Sequence, residues 1–212
     1  MLRLQHFVYN AFSENTYLII NDKKECWIVD PGMNNNSERL QLTNYISTEK
    51  LTPKGIINTH AHIDHILGIQ AMMDTYKISF GMHEKDMPVL ASARGSAVMF
   101  GFDMPVVPQP TFYIHEQEPL MLGEDELEVR FTPGHSPGSI VFYSAKGKWV
   151  IGGDVLFAGS IGRTDLPGGN HQTLLDSIQT QLFTLPDDVT VYPGHGSSTT
   201  IGHEKRTNPF FT

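Results

Sequence analysis

Short apolar runs, rich in β-branched and aromatic residues, recur along this chain between clusters of Gly, Pro, Asn and Asp. Residues 16–20 run into the turn-prone pair Asn21-Asp22, and residues 26–29 resume the pattern and stop at Asp30-Pro31-Gly32, which predicts a hairpin. Ser37 has the character of a helix N-cap, and the segment behind it, with Leu40 and Ile46, predicts a helix reaching Thr48. A short strand over 54–58 leads straight into Thr59-His60. Ile66, Leu67, Ile69, Met73 and Tyr76 then fit a helix that begins near Asp64. A strand over 78–81 and a helix over 84–93 follow. Residues 95–119 contain Gly95, Gly101, Pro105, Pro108, Pro110 and Pro119, a composition that predicts a loop or lid rather than a linker.

The second half repeats the scheme. Strands are predicted over 126–132, 139–143 and 149–151, a helix over 172–182 and a strand over 189–192. Strands, helix, strand, helix thus occur twice, which predicts two similar halves, each a sheet covered by helices. A chain of 212 residues is long enough to enclose them in one domain, 1–212.

Composition narrows the function. With 40% hydrophobic and 18% charged residues the chain is an ordinary globular protein. The net charge is −8, from 15 basic and 23 acidic side chains, and no Lys/Arg run is present, so no nucleic-acid partner is expected. A small anionic substrate is still admitted, because one local cation is enough to hold a carboxylate. No apolar run approaches membrane-spanning length and the first residues lack a secretory hydrophobic core, so the expectation is a cytoplasmic protein without a membrane partner. The oligomeric state stays open. The single cysteine, Cys26, lies in an apolar stretch and reads as a small buried hydrophobe.

Histidine is the unusual residue. His60-Ala61-His62-Ile63-Asp64-His65 places three histidines in six residues directly after a strand. Alternation along the extended arm sends His60 and His62 in the same direction, as two ligands of one metal require, while Asp64 and His65 come from a first helical turn and can face a second ion. Imidazole and carboxylate suit zinc, iron or manganese. Three later segments repeat the design of a strand followed by a ligand-type residue in a Gly-rich turn. Pro133-Gly134-His135 supplies His135, Gly152-Gly153-Asp154 supplies Asp154, and Pro193-Gly194-His195 supplies His195. Singly, each is an ordinary turn; together and in this order they form a ligand set.

With these residues in hand, the chain resembles the metallo-β-lactamase superfamily over essentially its whole length. The resemblance implies an α/β fold, an αββα sandwich of two mixed sheets with helices on the outer faces. It also implies two divalent ions, zinc foremost and iron or manganese as alternatives. His60, His62 and His135 would hold the first, Asp64, His65 and His195 the second, and Asp154 would bridge them. Asp64 and Asp154 are the implied catalytic carboxylates, and the implied chemistry is attack by a metal-bridging hydroxide on a carbonyl carbon. Asp30, in Asp30-Pro31-Gly32, matches a family motif, and both a supporting role behind the metals and a plain turn role stay open for it.

Gly162-Arg163-Thr164-Asp165, after the bridging aspartate, is similar to the glyoxalase II-like thioesterases and to the persulfide dioxygenases. The ending from His195-Gly196 to Asn208-Pro209 resembles the small glyoxalase II-like (hydroxyacylglutathione hydrolase-like) hydrolases that lack a C-terminal helical domain. With only seventeen residues after His195, an alternative carrier thiol is admitted beside glutathione. The expectation is therefore a thioester hydrolase acting on a small-molecule substrate such as S-lactoylglutathione. The alternatives are a mononuclear iron persulfide dioxygenase and a non-catalytic small-ligand binder. Arg163 is the candidate clamp for a substrate carboxylate, with an ion pair to Asp165 as its competing reading. His6, His83, His115, His171 and His203 lack ligand spacing and read as surface, capping or packing residues.

Overall fold

The computed structural model describes residues 1–212. Six strands, β1 (Arg3–Tyr9), β2 (Glu14–Ile20), β3 (Glu25–Val29), β4 (Thr52–Ile57), β5 (Ser79–Met82) and β6 (Phe112–Tyr113), are bonded in sequence order into one sheet. β1, β2 and β3 form an antiparallel meander, and β3 to β6 run parallel. The later strands are β7 (Leu120–Leu122), β8 (Asp125–Phe131), β9 (Ile140–Ser144), β10 (Trp149–Gly153), the ribbon β11 (Leu156–Phe157) and β12 (Ser160–Ile161), then β13 (Thr190–Pro193) and β14 (Thr199–Thr200). The second sheet has the order β14-β13-β10-β9-β8-β7, antiparallel except for the parallel β10/β13 pair. Helices α1 (Asn36–Thr48), α2 (Ile69–Tyr76), α3 (Met87–Ala91) and α4 (Ala93–Phe100) belong to the first half, and α5 (His171–Ser177) and α6 (Ile201–Thr207) to the second.

Side-chain alternation assigns the layers. In β2 every residue is buried, so both faces of the strand are covered. Tyr17 and Ile19 join Val29 and Ile57 against Val129, Ile140, Phe142 and Ile151 of the other sheet, forming the middle of a sandwich. Leu18 and Ile20 point the other way and pack with Ile28 and Ile56 against Leu42 and Ile46 of α1 and Ile69 and Met72 of α2. On the far side, Val141, Val150 and Val191 pack against Leu174, Ile178 and Leu182 of the α5 segment. Three cores between four layers make the αββα sandwich that the sequence resemblance implied.

Several elements differ from the sequence reading. The cap of α1 is Asn35, whose side chain accepts from the Glu38 amide, and Ser37 already lies inside the helix. Asp64 starts no α-helix: Ile63–His65 form one 3-10 turn, and α2 begins at Ile69. The stretch read as a loop contains most of α4, with Gly101 as its left-handed C-cap, and also β6. The helix over 172–182 is α5, continued by a π turn over Ile178–Leu182. Strand β1 and helix α6 had no counterpart in the sequence reading.

Candidate metal centre

Strand direction gathers the ligand-type residues. Asp30 ends β3 and the His60 run follows β4, so the parallel pairing of β3 and β4 brings both to one edge of the first sheet. β8 and β10 both run antiparallel to β9, and β13 runs parallel to β10. The loops with His135, Asp154 and His195 therefore emerge together at one edge of the second sheet. Backbone bonds join the two edges: the Ile140 amide donates to the Thr59 carbonyl at 2.9 Å, and the Asn15 amide to the Gly194 carbonyl at 2.7 Å.

All seven residues singled out in the sequence meet there. His135 Nε2 lies 2.8 Å from His62 Nδ1 and 3.2 Å from His60 Nε2. His195 Nε2 is 3.1 Å from Asp64 Oδ2, and His65 Nε2 is 3.6 Å from the same oxygen. Asp154 stands between the groups, 3.6 Å from His135 Nε2, 3.4 Å from His195 Nε2 and 3.5 Å from His65 Nε2. Donor atoms around a tetrahedral ion at about 2.0–2.1 Å stand roughly 3.3 Å apart, which is the spacing of these atoms. His65 Nε2 and Asp154 Oδ1 are buried without a hydrogen-bond partner, so the donor set fits a divalent ion on two independent counts.

The outward ring nitrogens fix the tautomers. His135 Nδ1 donates to the Arg163 carbonyl at 2.8 Å and His195 Nδ1 to the Phe12 carbonyl at 3.0 Å. His65 Nδ1 donates to Asp30 Oδ2 at 3.1 Å, and His60 Nδ1 sits 3.0 Å from Thr59 Oγ1, whose hydroxyl donates to Asp30. With those protons committed outward, the lone pairs of Nε2 are aimed inward. Asp30, in a left-handed conformation with φ 49°, also accepts from the Thr59 amide at 2.7 Å. A third triad, Asp30, His60 and His65, is also compact. The oxygens of Asp30 are already engaged by Thr59 and His65, so it supports the centre from behind.

Electrostatics divide the cluster. Burial lowers His60 well below the ordinary histidine value and His62 to about 3, with the neighbouring imidazoles adding to the effect. Both are thus held neutral, as ligands must be. Burial also opposes a charge on His65 and His195, but the carboxylates of Asp154 and Asp64 outweigh it. They raise His65 well above its usual value and His195 to about 10. Burial favours the neutral acids in return, yet the facing imidazoliums of His65 and His195 hold Asp64 below, and Asp154 well below, the carboxylate range.

Three supporting residues carried no signal in the sequence. Asp86 follows β5, is fully buried, and accepts from the amides of Ala61 and Gly138, so it ties the His60 loop to the His135 loop. The Asn15 side-chain amide donates to the carbonyls of Pro193 and Gly196 and fixes the His195 loop. Glu14 is buried beside His65, 3.8 Å away. Of the other histidines, His83 stacks on Phe131 at 4.7 Å, and His171 opens α5 behind the Asn170 cap.

A cleft of about 860 Å³ opens over the centre; His62, Asp64, His135, Asp154 and His195 form its floor, and α3 and α4 form one wall. Arg163 also lines the cleft, and its Nε and Nη2 each donate at 2.7 Å to the Asp165 carboxylate. No helix is long and apolar enough to cross a membrane.

The chain is similar in sequence and fold to known proteins. The family model described as the metallo-beta-lactamase superfamily matches residues 9–195. A protein of Bacillus subtilis named probable metallo-hydrolase YqgX is 41% identical over 198 residues, 92% of this chain and 91% of its own. The hydroxyacylglutathione hydrolase GloC of Haemophilus influenzae is 39% identical over 202 residues, covering 94% and 93%. Among solved structures, the BLEG-1 B3 metallo-beta-lactamase superposes with a TM-score of 0.90 at 38% identity, over 99% of this chain and all of that one. Sandwich, converging histidine loops and near full-length similarity agree, and the chain belongs to the metallo-β-lactamase superfamily.

Proposed function

We propose that this metallo-hydrolase is a thioesterase of the hydroxyacylglutathione hydrolase kind, working with two divalent ions, zinc foremost. In this reading His60, His62 and His135 hold one ion, Asp64, His65 and His195 the other, and Asp154 serves both. The observation that carries it is the completeness of the second group. His195 and Asp64 lie 3.1 Å apart beside the buried, unpartnered His65 Nε2, so the chain offers donors for a second ion, which favours a two-ion hydrolase over a one-iron dioxygenase. The identity to GloC supports the thioester, because fold alone does not select a substrate.

When bound, the ions lower the pKa of a coordinated water and polarise the substrate carbonyl. The chain does the rest. The Asp64 carboxylate on the cleft floor orients the attacking water and takes up its proton. Asp30 and Thr59 hold His65 and His60 in the tautomers that face the floor. A C–O bond forms at the acyl carbon as the C–S bond breaks, and the departing thiolate takes the proton from Asp64 and leaves through the cleft as the thiol.

Metal analysis of purified protein, paired with thioester and oxygen-consumption assays, tests this. Two metals per chain, hydrolysis of S-lactoylglutathione and no oxygen uptake on glutathione persulfide are expected. His195→Ala should then cost about a hundredfold or more in kcat/KM. One iron per chain with rapid oxygen uptake, or faster turnover of a β-lactam than of any thioester, would overturn the reading.

A further inference from the structure

The wall of the cleft has a chemistry of its own. Outside the histidines, its charged side chains are Asp64, Asp154 and Arg163. The two carboxylates belong to the centre, and the guanidinium of Arg163 is already paired fork to fork with Asp165. No lysine lines the cleft. What remains of the wall is mainly apolar: Val89, Ala93, Met99 and Phe100 from α3 and α4, with Phe12 and Phe157 also lining it, and only the hydroxyls of Ser92 and Ser96 interrupt it. Phe12 meets Phe100 edge to face at 5.4 Å, which closes an apolar rim between the β1–β2 turn and α4. Met99 is 78% exposed although it lies at this rim, an apolar side chain without a partner in the folded chain.

Two small residues extend the space. Gly95 and Ser96 line the cleft from α4, and a Cβ placed on Gly95 would meet nothing within 4 Å. The volume of about 860 Å³ exceeds what a lactoyl group over two ions needs. Glutathione brings two carboxylates and an ammonium, and the wall offers no free cation to receive the former.

We infer that the cleft is the seat of an apolar acyl chain, and that the preferred substrates are thioesters of medium-length acyl groups on a carrier thiol without carboxylates. The inference rests on the thioesterase reading above and refines its substrate: S-lactoylglutathione is cleaved, but less well than an uncharged thioester with a longer acyl chain. The carbonyl lies on the His62–Asp154 floor, and the acyl methylenes run along Val89, Ala93 and Gly95 toward Met99 and Phe100.

The test uses the metal-loaded full chain and N-acetylcysteamine thioesters of acetyl, butyryl, hexanoyl and octanoyl groups, each beside its glutathione counterpart. Each methylene buried in the cleft raises kcat/KM by up to about fourfold, so a rise of tenfold or more from acetyl to hexanoyl is expected. Gly95→Leu should shift the optimum to shorter chains with no loss of thermal stability, because the new side chain enters open space on a helix. Calorimetry with the thioethers S-hexyl-N-acetylcysteamine and S-hexylglutathione reads the cleft without turnover, and the uncharged ligand should bind at least as tightly. A flat acyl profile, or a glutathione thioether bound more than tenfold tighter, overturns the inference while leaving thioester hydrolysis intact. If no thioester is cleaved yet the uncharged thioether is preferred, the thioesterase reading fails and the apolar seat stands.

Discussion

The carboxylate of Asp86 has three donors close by: the Ala61 amide at 2.7 Å, the Gly138 amide at 2.6 Å and the Ser136 hydroxyl at 2.8 Å. It is fully buried, and burial raises its pKa despite those bonds. Removing it would strand the two amides in a dry site, at about 1–3 kcal/mol for each group left unpaired, while the Ser136 hydroxyl keeps Ser139 Oγ at 2.9 Å. Asp86→Ala is therefore expected to cost roughly 3 kcal/mol or more in denaturant unfolding and to lower metal content at the group containing His135. Asp86→Asn should be the milder of the two, since its amide oxygen can still accept from one loop. Wild-type metal content and stability in Asp86→Ala would show that the loops hold their positions without it. The residues that meet an ion were legible in the sequence because few side chains can do that work and their spacing after strands is distinctive. Asp86, Asn15 and Glu14 were not, because each acts on backbone or side chains far away in sequence, and a lone carboxylate or amide carries no mark of such a partner.

At the scale of elements, the centre depends on how closely β10 and β13 bring their loops together. Gly194 shows the tolerance: a Cβ there would stand 2.1 Å from Asp154 Oδ1 and 2.7 Å from His65 Cε1. Gly194→Ala must push the carboxylate aside, and a ligand displaced by about 1 Å costs on the order of a hundredfold in activity. The expected result is a folded protein, with an unchanged far-ultraviolet spectrum, that has lost metal and most of its activity. Full metal loading in that variant would mean that Asp154 has room to move. The hairpin and the alternating strands were readable because their apolar periodicity records two covered faces. The helix α4 was not, because Gly95 and Gly101 suggest a loop. The segment is held helical by Ala93 and Ala97 packing on the core, with Gly101 serving as its cap. The start of α2 was misplaced for a related reason. Asp64 resembles a helix cap, but its carboxylate faces His195 and His65, and the chain completes only one tight turn before Ile69.

Across the whole molecule, the centre is also a fastener. His60, His62, Asp64 and His65 come from the first sheet's edge, while His135, Asp154 and His195 come from the second, so a bound ion would cross-link the two halves of the sandwich. Without it, the halves are held by the shared middle core and by edge bonds such as Ile140 to Thr59. An ion that binds the folded chain alone stabilises it by about 2.7 kcal/mol at a free concentration one hundred times its Kd. A chain of this length gains about 2–4 °C in Tm for each kcal/mol. Chelation should therefore lower the Tm by roughly 5–10 °C for each ion removed, with recovery when zinc, iron or manganese is returned. His135→Ala should start about one ion's increment below the wild type and respond less to added metal, because its substitution removes a second-sheet ligand from the His60–His62 group alone. If chelator left the Tm unchanged in wild type while abolishing activity, the ions would serve chemistry alone, and the sandwich would owe its closure entirely to the apolar layer between the sheets.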